Sequence, residues 1–284
     1  MKHILLKAYA KINLALALKF KRSDGYHEIE TIYQEIDFYD RVKVAKTQRI
    51  TMICNHPGLP CDSSNLCIGA ANLLQREFNI PGIFINLEKN IPIGAGLGGG
   101  SSDAAAVLKG GINLYGIKIE QERLITLAAE LGSDVPFFLY GGSAYGRGKG
   151  EIITPITLQA NYTVLLITPN IEISTSWAYK NLKMTLTRKY NDDKFIGFKF
   201  HNLGAEGFRA EFFNDFESAV FIAYPRLGEM KDALYAQGAD YASLSGSGSA
   251  IFGVFASKAR AQRALKVLGH EYECRLVKPV PSKL

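Results

Sequence analysis

The sequence has few of the residues that build metal sites and disulfide frameworks. It contains four cysteines and five histidines, and neither a CxxC pair nor an HExxH motif occurs among them. These absences argue against a structural zinc ion and against a fold held together by disulfides. We therefore expect reduced thiols, and no residue is identified as a metal ligand.

The chain also lacks dense blocks of one charge and long uninterrupted apolar runs. Its net charge of +6 comes from 33 Lys and Arg against 27 Asp and Glu, without the concentrated basic segment typical of nucleic-acid-binding arms. Near the start, Lys7, Lys11 and Asn13 interrupt the apolar stretch that a signal peptide needs. We expect a cytoplasmic protein with neither a nucleic-acid nor a membrane partner, and the sequence does not predict its oligomeric state.

The composition is that of a globular protein, with 47% hydrophobic and 21% charged residues in 284. A chain of this length exceeds what one hydrophobic core usually fills, so two domains with a cleft between them are expected. The pattern changes after the segment GGSAYGRGKGE. We place the boundary near residue 158, which gives an N-terminal domain of residues 1–158 and a C-terminal domain of residues 159–284.

Hydrophobic periodicity predicts a mixture of strands and helices that do not alternate regularly. The predicted strands cover residues 4–9, 12–20, 83–88 and 162–168. The predicted helices cover residues 63–78, with Ser63 as the N-terminal cap, 121–131, 227–236 and 258–268. This order favours an α+β fold over a doubly wound parallel sheet.

A glycine-rich segment, PIGAGLGGGSS, precedes a helical run that we expect to open at Asp103. Its residues are Pro92, Ile93, Gly94, Ala95, Gly96, Leu97, Gly98, Gly99, Gly100, Ser101 and Ser102. Without Cβ atoms the main-chain amides can converge on an anion, and the start of a helix adds partial positive charge. The alternative is a plain connector in which Ser101 or Ser102 caps the helix. The entropy cost of ordering so many glycines favours phosphate binding.

The glycine-rich segment must be distinguished from the dinucleotide-binding loop and the Walker A loop. Gly94, Gly96 and Gly99 also satisfy the dinucleotide pattern GxGxxG, and Glu120 follows at about the spacing of a ribose contact. Pro92 and the additional glycine make that reading less favourable, as does the place of Glu120 at a predicted helix start. No Lys-Ser/Thr pair follows the glycines, which excludes a Walker A loop, and protein-kinase HRD and DFG motifs are absent.

Three segments resemble the motifs of the GHMP kinases. They are AKINLAL at residues 10–16, PIGAGLGGGSSDAA at 92–105 and SLSGSGSAIFG at 243–253. Within that superfamily SDGYHEIETIY at 23–33, GSDVPFF at 132–138 and NDFE at 214–217 resemble the diphosphocytidyl-methylerythritol kinases. The resemblance implies a two-domain fold with the active site in the cleft, ATP as phosphate donor accompanied by Mg²⁺, and a small-molecule substrate that carries a cytidine diphosphate moiety.

The same resemblance assigns roles to individual residues. It makes Asp134 the base that accepts the proton of the substrate hydroxyl, with Lys11 beside it. From the residues alone, Asp134 is equally well explained as a helix cap before Pro136. Asn65 and Lys89 match positions that hold adenine in the family. From the residues alone, Asn65 is explained as a helix start and Lys89 as a solvated charge.

The substrate-binding positions implied by the resemblance are Asn13, Tyr26, His27, Tyr33 and Tyr179. Tyr26 and His27 would stack on the cytosine and hydrogen-bond its polar edge. A Tyr-His pair after Asp-Gly is also typical of a hairpin turn. Residues 183–213 do not follow the family, so substrate contacts from this stretch are not assigned.

Two other functions are compatible with the sequence. A kinase of the same superfamily could act on another alcohol, and a nucleotide-binding module or a dinucleotide-dependent oxidoreductase could use the GxGxxG match. A turnover assay with different alcohols tests the first alternative. Stabilisation by NADH rather than by ATP would support the second.

Overall fold

The structure is a computed structural model, and it describes residues 3–182 and 205–282. Most of the stretch for which no substrate contacts were assigned lies outside the described residues. The described chain divides into two units. The first contains the residues up to Ala10, Phe38–Pro92 and Gly98–Tyr140, and the second contains Lys11–Asp37, Ile93–Leu97 and the residues from Gly141 onwards.

The strands, in chain order, are β1 His3–Lys21, β2 His27–Lys46, β3 Thr51–Cys54, β4 Ile83–Glu88, β5 Ser143–Arg147, β6 Ile152–Ile156, β7 Thr163–Ile167, β8 Tyr241–Leu244, β9 Ile251–Phe255 and β10 Cys274–Val277. The helices are α1 Leu66–Phe78, α2 Gly99–Tyr115, α3 Gln121–Leu131, α4 Val135–Tyr140, α5 Thr175–Asn181, α6 Ala205–Glu211, α7 Glu217–Ala223, α8 Pro225–Ala236 and α9 Lys258–Leu268.

In the first unit, helices α1 to α4 accompany a small sheet. The second half of β2 pairs antiparallel with β4, from Arg41 opposite Glu88 to Lys46 opposite Ile83, and β3 pairs parallel with β4. Helix α2 is apolar on nearly all sides, with buried residues along most of its length. At Gly111 a Cβ would collide with Leu74 of α1, so glycine lets the two helices approach closely.

The second unit is built around antiparallel strands. The first half of β2 pairs with β5, and β5 pairs with β6. A separate four-stranded sheet has the order β10-β7-β9-β8. Its central strands β7 and β9 are buried along their whole length, which explains their continuous apolar sequence. Helices α7, α8 and α9 cover the core through residues such as Val220, Leu234 and Ala264.

The structure confirms the predicted α+β class. Strand β4 and helices α3 and α9 have the predicted limits. Three details were wrong. The two N-terminal strands are the single strand β1. Helix α1 begins after Asn65 rather than Ser63, because the Asn65 side chain accepts a hydrogen bond from the Cys67 amide.

Helix α2 begins at Gly99 rather than Asp103, and Gly98, in the left-handed conformation, occupies the cap position without a side-chain hydrogen bond. Neither Ser101 nor Ser102 is therefore the cap. Among the described residues no helix is long and apolar enough to cross a membrane. The domain boundary near residue 158 stays a prediction.

Candidate functional site

The first glycine loop, residues 92–100, has the conformation that its glycines permit. Gly94, Gly96 and Gly98 have φ angles of 69°, 73° and 67°, a region that residues with a side chain seldom adopt. The loop leads directly into α2, whose first-turn amides cannot find acceptors within the helix. Ile93–Leu97 belongs to the second unit, and the residues from Gly98 belong to the first. Glycines in the left-handed region directly before a helix N-terminus are the arrangement expected for an anion site.

The second glycine loop, residues 245–249, connects β8 to β9 and contacts the first loop within the second unit. The Ser245 hydroxyl donates to the Gly96 carbonyl at 3.0 Å, and the Ala250 amide donates to the Ala95 carbonyl at 3.1 Å. A Cβ on Gly96 would lie 2.0 Å from the Ser245 carbonyl oxygen. Only glycine therefore allows the two loops to meet at this point.

Lys11 lies on β1 at the junction of these loops. Its amide donates to the Leu97 carbonyl at 2.9 Å, and its buried ammonium donates to Asn13 Oδ1 at 2.6 Å. A Cβ on Gly246 would be 3.3 Å from Lys11 Nζ and 3.2 Å from Asn13 Oδ1. The predicted residues Lys11 and Asn13 are thus brought together with both glycine loops.

Asn13 is itself held from behind by a polar chain. Its Nδ2 donates to the Thr31 hydroxyl at 2.7 Å, and that hydroxyl donates to the Ala15 carbonyl at 2.7 Å. Asn13 and Thr31 are buried, so their hydrogen bonds fix the orientation of the amide against Lys11. Sequence reasoning missed Thr31, because a buried threonine in a strand carries no signal of its own.

Asp134 is the residue immediately before helix α4. The adjoining Val135 amide donates to the Gly132 carbonyl at 3.1 Å, so a tight turn leads into the helix. Asp134 belongs to the first unit and Lys11 to the second. Its pairing with Lys11, and the choice between base and helix cap, stay predictions.

Asn65 and Lys89, the candidate adenine residues, both lie in the first unit. Asn65 caps α1 by accepting from the Cys67 amide at 2.8 Å and also donates to the Pro60 carbonyl at 2.7 Å. The reading of Lys89 as a solvated charge was wrong, since only 4% of its side chain is exposed. Its ammonium forms ion pairs with Asp40 and Asp103.

The Asp40–Lys89–Asp103 cluster supports the start of α2. A Cβ on Gly99 would come within 2.8 Å of Lys89 Nζ. Burial raises the pKa of Asp103 to about 7, with Lys89 opposing and Asp40 reinforcing the shift. One carboxylate oxygen of Asp103 is buried without a hydrogen-bond partner among the described residues. No sequence signal pointed to Asp40, whose Oδ1 accepts the amide of Ile91 at 2.8 Å.

Tyr26 and His27 lie at the end of the short turn between β1 and β2, and these strands pair with each other, so a hairpin does form there. The His27 ring stacks on Tyr179 of α5, with centroids 5.0 Å apart and planes 17° from parallel. Burial, reinforced by the charge of Lys21, lowers the pKa of His27. Tyr26 is 59% exposed, whereas Tyr33 is 1% exposed with its ring beside Gly146.

Two segments of the chain match known protein domains. Residues 65–142 match the GHMP kinases N terminal domain, and residues 200–274 match the GHMP kinases C terminal domain. The structure is similar to that of a homoserine kinase from Cytophaga hutchinsonii, with a TM-score of 0.69 and coverage of 100% of this chain and 96% of that chain. Their 23% identity limits this likeness to the fold. The fold is that of a GHMP kinase.

The particular family follows from closer relatives. The chain is 43% identical to 4-diphosphocytidyl-2-C-methyl-D-erythritol kinase of Prosthecochloris aestuarii over 97% of both chains. A crystal structure of 4-(cytidine 5'-diphospho)-2C-methyl-D-erythritol kinase superposes with a TM-score of 0.80 and 33% identity, covering 97% of this chain and 99% of that chain. This chain belongs to the family of 4-diphosphocytidyl-2-C-methyl-D-erythritol kinases, which are phosphotransferases.

Proposed function

We propose that this protein transfers the γ-phosphate of ATP to the 2-hydroxyl of 4-diphosphocytidyl-2-C-methyl-D-erythritol, in the non-mevalonate route to isoprenoid precursors. One observation carries the proposal beyond family membership. Lys11 is bonded to the first glycine loop through its main chain, and its ammonium lies beside the second. A cation at the junction of two glycine loops suits the terminal phosphate of a nucleotide.

In the proposed reaction, Asp134 accepts the proton of the 2-hydroxyl as the oxygen attacks the γ-phosphorus. The new O–P bond forms while the bond from the γ-phosphorus to the β,γ-bridging oxygen breaks, and ADP leaves. Lys11 offsets the charge on the transferred phosphoryl group. Asn13 keeps the ammonium in place through the 2.6 Å hydrogen bond. The proton then passes from Asp134 to solvent.

ATP would be held by the first glycine loop and by Asn65 and Lys89 beside the adenine. The positive φ angles of Gly94, Gly96 and Gly98 fit a polyphosphate, because no Cβ blocks the approach to the backbone. Among residues 3–182 and 205–282, no three His, Cys, Asp or Glu side chains are grouped to hold a metal ion. Mg²⁺ would neutralise the charge of the nucleotide phosphates.

The cytidine would be read by the aromatic residues of the second unit. The stacked His27 and Tyr179 rings offer a planar surface of the kind that a pyrimidine stacks on. A lowered His27 pKa keeps the imidazole neutral near pH 7, so that one ring nitrogen donates and the other accepts. Tyr26, Asn13 and Tyr33 are the other proposed substrate contacts. A cytoplasmic location stays a prediction.

The substrate assignment is tested with purified protein, ATP and a panel of alcohols. We expect phosphate transfer to 4-diphosphocytidyl-2-C-methyl-D-erythritol, and at most trace turnover of mevalonate or homoserine. Mass spectrometry identifies the phosphorylated product. Preferential turnover of either of those alcohols would contradict the assignment. Stabilisation by NADH but not by ATP in a thermal-shift assay would point to a dinucleotide-dependent enzyme instead.

The role of Asp134 is tested by Asp134→Asn. Loss of a positioned base costs about 10²- to 10⁴-fold in rate, so kcat should fall by at least about 10²-fold while the dissociation constant for ATP, measured by calorimetry, is unchanged. Asp232→Asn, which alters an exposed carboxylate on α8, is the control and should retain full activity. Retained activity in Asp134→Asn would exclude Asp134 as the base.

A further inference from the structure

The segment NDFE, residues 214–217, lies against β1, the strand that carries Lys11. The Leu16 amide donates to the Phe213 carbonyl at 2.8 Å, and the Asp215 amide donates to the Leu16 carbonyl at 3.0 Å. These two bonds flank Asn214 and fix its backbone on the strand. The Leu18 amide adds a third bond, to Asp215 Oδ2 at 2.8 Å.

The Asn214 side chain reaches from this position to the second glycine loop. Its Nδ2 donates to the carbonyls of Leu244 and Gly246, each at 2.8 Å, and its Oδ1 accepts the Phe216 amide at 3.0 Å. Asn214 is 4% exposed, so loss of its amide would remove a hydrogen-bond donor from each of two buried carbonyls. Only an amide supplies two donors and one acceptor in this geometry.

We propose that Asn214 is a positioning residue for phosphoryl transfer, which fixes the second glycine loop against Lys11 and Asn13. The inference rests on the proposed function. Asn214 holds the Gly246 carbonyl, and Gly246 is the residue whose Cβ would lie 3.2–3.3 Å from Asn13 Oδ1 and Lys11 Nζ. A displacement of about 1 Å in such a site can reduce the rate about 10²-fold.

Glu217, in the same segment, holds a different part of the unit and provides a matched control. Its Oε1 accepts from the Ser243 hydroxyl at 2.8 Å and the Leu244 amide at 3.0 Å. Its Oε2 pairs with Lys231. These partners lie in β8 and α8, before the loop begins. Glu217→Gln keeps an acceptor for β8 but loses the charge and the hydrogen bond with Lys231.

A second control separates loop position from stability. Val220 of α7 is fully buried in the core of the second unit, so Val220→Ala removes apolar contacts and leaves the hydrogen bonds of the loop in place. The melting temperature and the activity of Val220→Ala, measured together, show how much activity is lost through reduced stability alone.

The experiment compares Asn214→Ala and Asn214→Asp with these two controls. Both Asn214 variants should lower kcat about 10- to 100-fold, with KM for the cytidylyl substrate within about twofold of the parent. Asn214→Asp should lose at least as much as Asn214→Ala although it preserves size, because its carboxylate faces two carbonyl oxygens. Glu217→Gln and Val220→Ala should retain kcat within about threefold.

Hydrogen exchange supplies a readout that does not depend on turnover. The amides of Ser245, Gly248 and Ala250 donate to the carbonyls of Ala250, Ser245 and Ala95 respectively. All three amides should exchange at least about tenfold faster in Asn214→Ala than in Val220→Ala. Unchanged exchange at these amides would overturn the inference even if the parent protein lacked the proposed activity. Unchanged kcat in both Asn214 variants, or an equal fall in Val220→Ala, would also overturn it. Absence of turnover in the parent protein would instead refute the proposed function.

Discussion

The two glycine loops are supported in different ways. Beneath the start of α2, at the end of the first loop, the buried charges of Asp40, Lys89 and Asp103 form an ion cluster. The second loop is held by neutral groups, the Asn214 amide and the Ser245 hydroxyl. Both loops contain glycines at positive φ, so their backbones are alike while their supports differ in charge.

This difference has an energetic consequence. A buried ion cluster is costly to break, because removal of one partner leaves an uncompensated charge in a region of low dielectric constant. A neutral hydrogen-bond network loses less and does not titrate. The stability of the region at the start of α2 should therefore depend on charge substitutions and on pH. The stability of the second loop should depend mainly on the geometry of its hydrogen-bond donors.

The largest expected effect is that of Lys89→Met, which removes the shared cation between Asp40 and Asp103. The free energy of unfolding at pH 7 should fall by about 3–5 kcal/mol, the usual range for a broken buried pair. Denaturant titration measures it. Lys118→Met, at an exposed lysine after α2, should change stability by less than about 0.5 kcal/mol. Equal effects of the two substitutions would contradict a buried ion cluster.

A smaller effect is expected for Gly96→Ala, at the point where the loops meet. Its φ of 73° is unfavourable for alanine, and the added Cβ would lie 2.0 Å from the Ser245 carbonyl oxygen. Gly116→Ala has a similar φ of 65° with nothing within 4 Å of its Cβ position. Thermal unfolding should show that Gly96→Ala costs at least about 2 kcal/mol more than this control. Equal costs would mean that the loops do not meet closely.

The smallest effect concerns pH. The pKa of Asp103 is raised from 3.8 to about 7 by burial, and Lys89, Asp40 and Cys67 are the titratable groups that interact with it. A carboxyl group with a raised pKa binds more protons in the folded state. Its stabilising contribution is complete below about pH 4 and is lost as the pH rises through about 7.

Asp103→Asn removes this titration. The unfolding free energy of the parent minus that of the variant should fall by at least about 1 kcal/mol between pH 4 and pH 8, measured by denaturant titration. Ser245→Ala, at the neutral support of the second loop, should give a difference that does not vary with pH. Parallel stability profiles for the parent and Asp103→Asn would contradict the raised pKa.

The glycine loop and Lys11 could be proposed as site residues from the sequence because their signals are local. Glycines before a helix and a family motif predict a phosphate site without knowledge of the fold, and that site stays a prediction. The start of α2 was misplaced because glycine is a poor helix former, and only the tertiary structure shows that Gly99 is helical. The apolar strands and the amphipathic helices α3 and α9 were likewise predictable from periodicity.

The supports of the site were not predictable in this way. Lys89 lies in a polar turn and gave no sign of burial, because its partners Asp40 and Asp103 are 49 and 14 residues away in the chain. Asn214 was identified only as part of a motif, and its contacts with Gly246 join residues 32 positions apart. Long-range partners of this kind require the three-dimensional structure.

The second unit joins residues that are far apart in the chain. The Asp37 amide donates to the Lys278 carbonyl at 2.9 Å, the Val280 amide donates to the Glu35 carbonyl at 2.8 Å, and the Asp37 carboxylate accepts the Lys278 amide. Closing a loop of about 240 residues carries a large entropy cost and slows folding. Strand β2 therefore cannot gain these partners until residues near 280 have left the ribosome, so the second unit can complete its folding only after that point in synthesis.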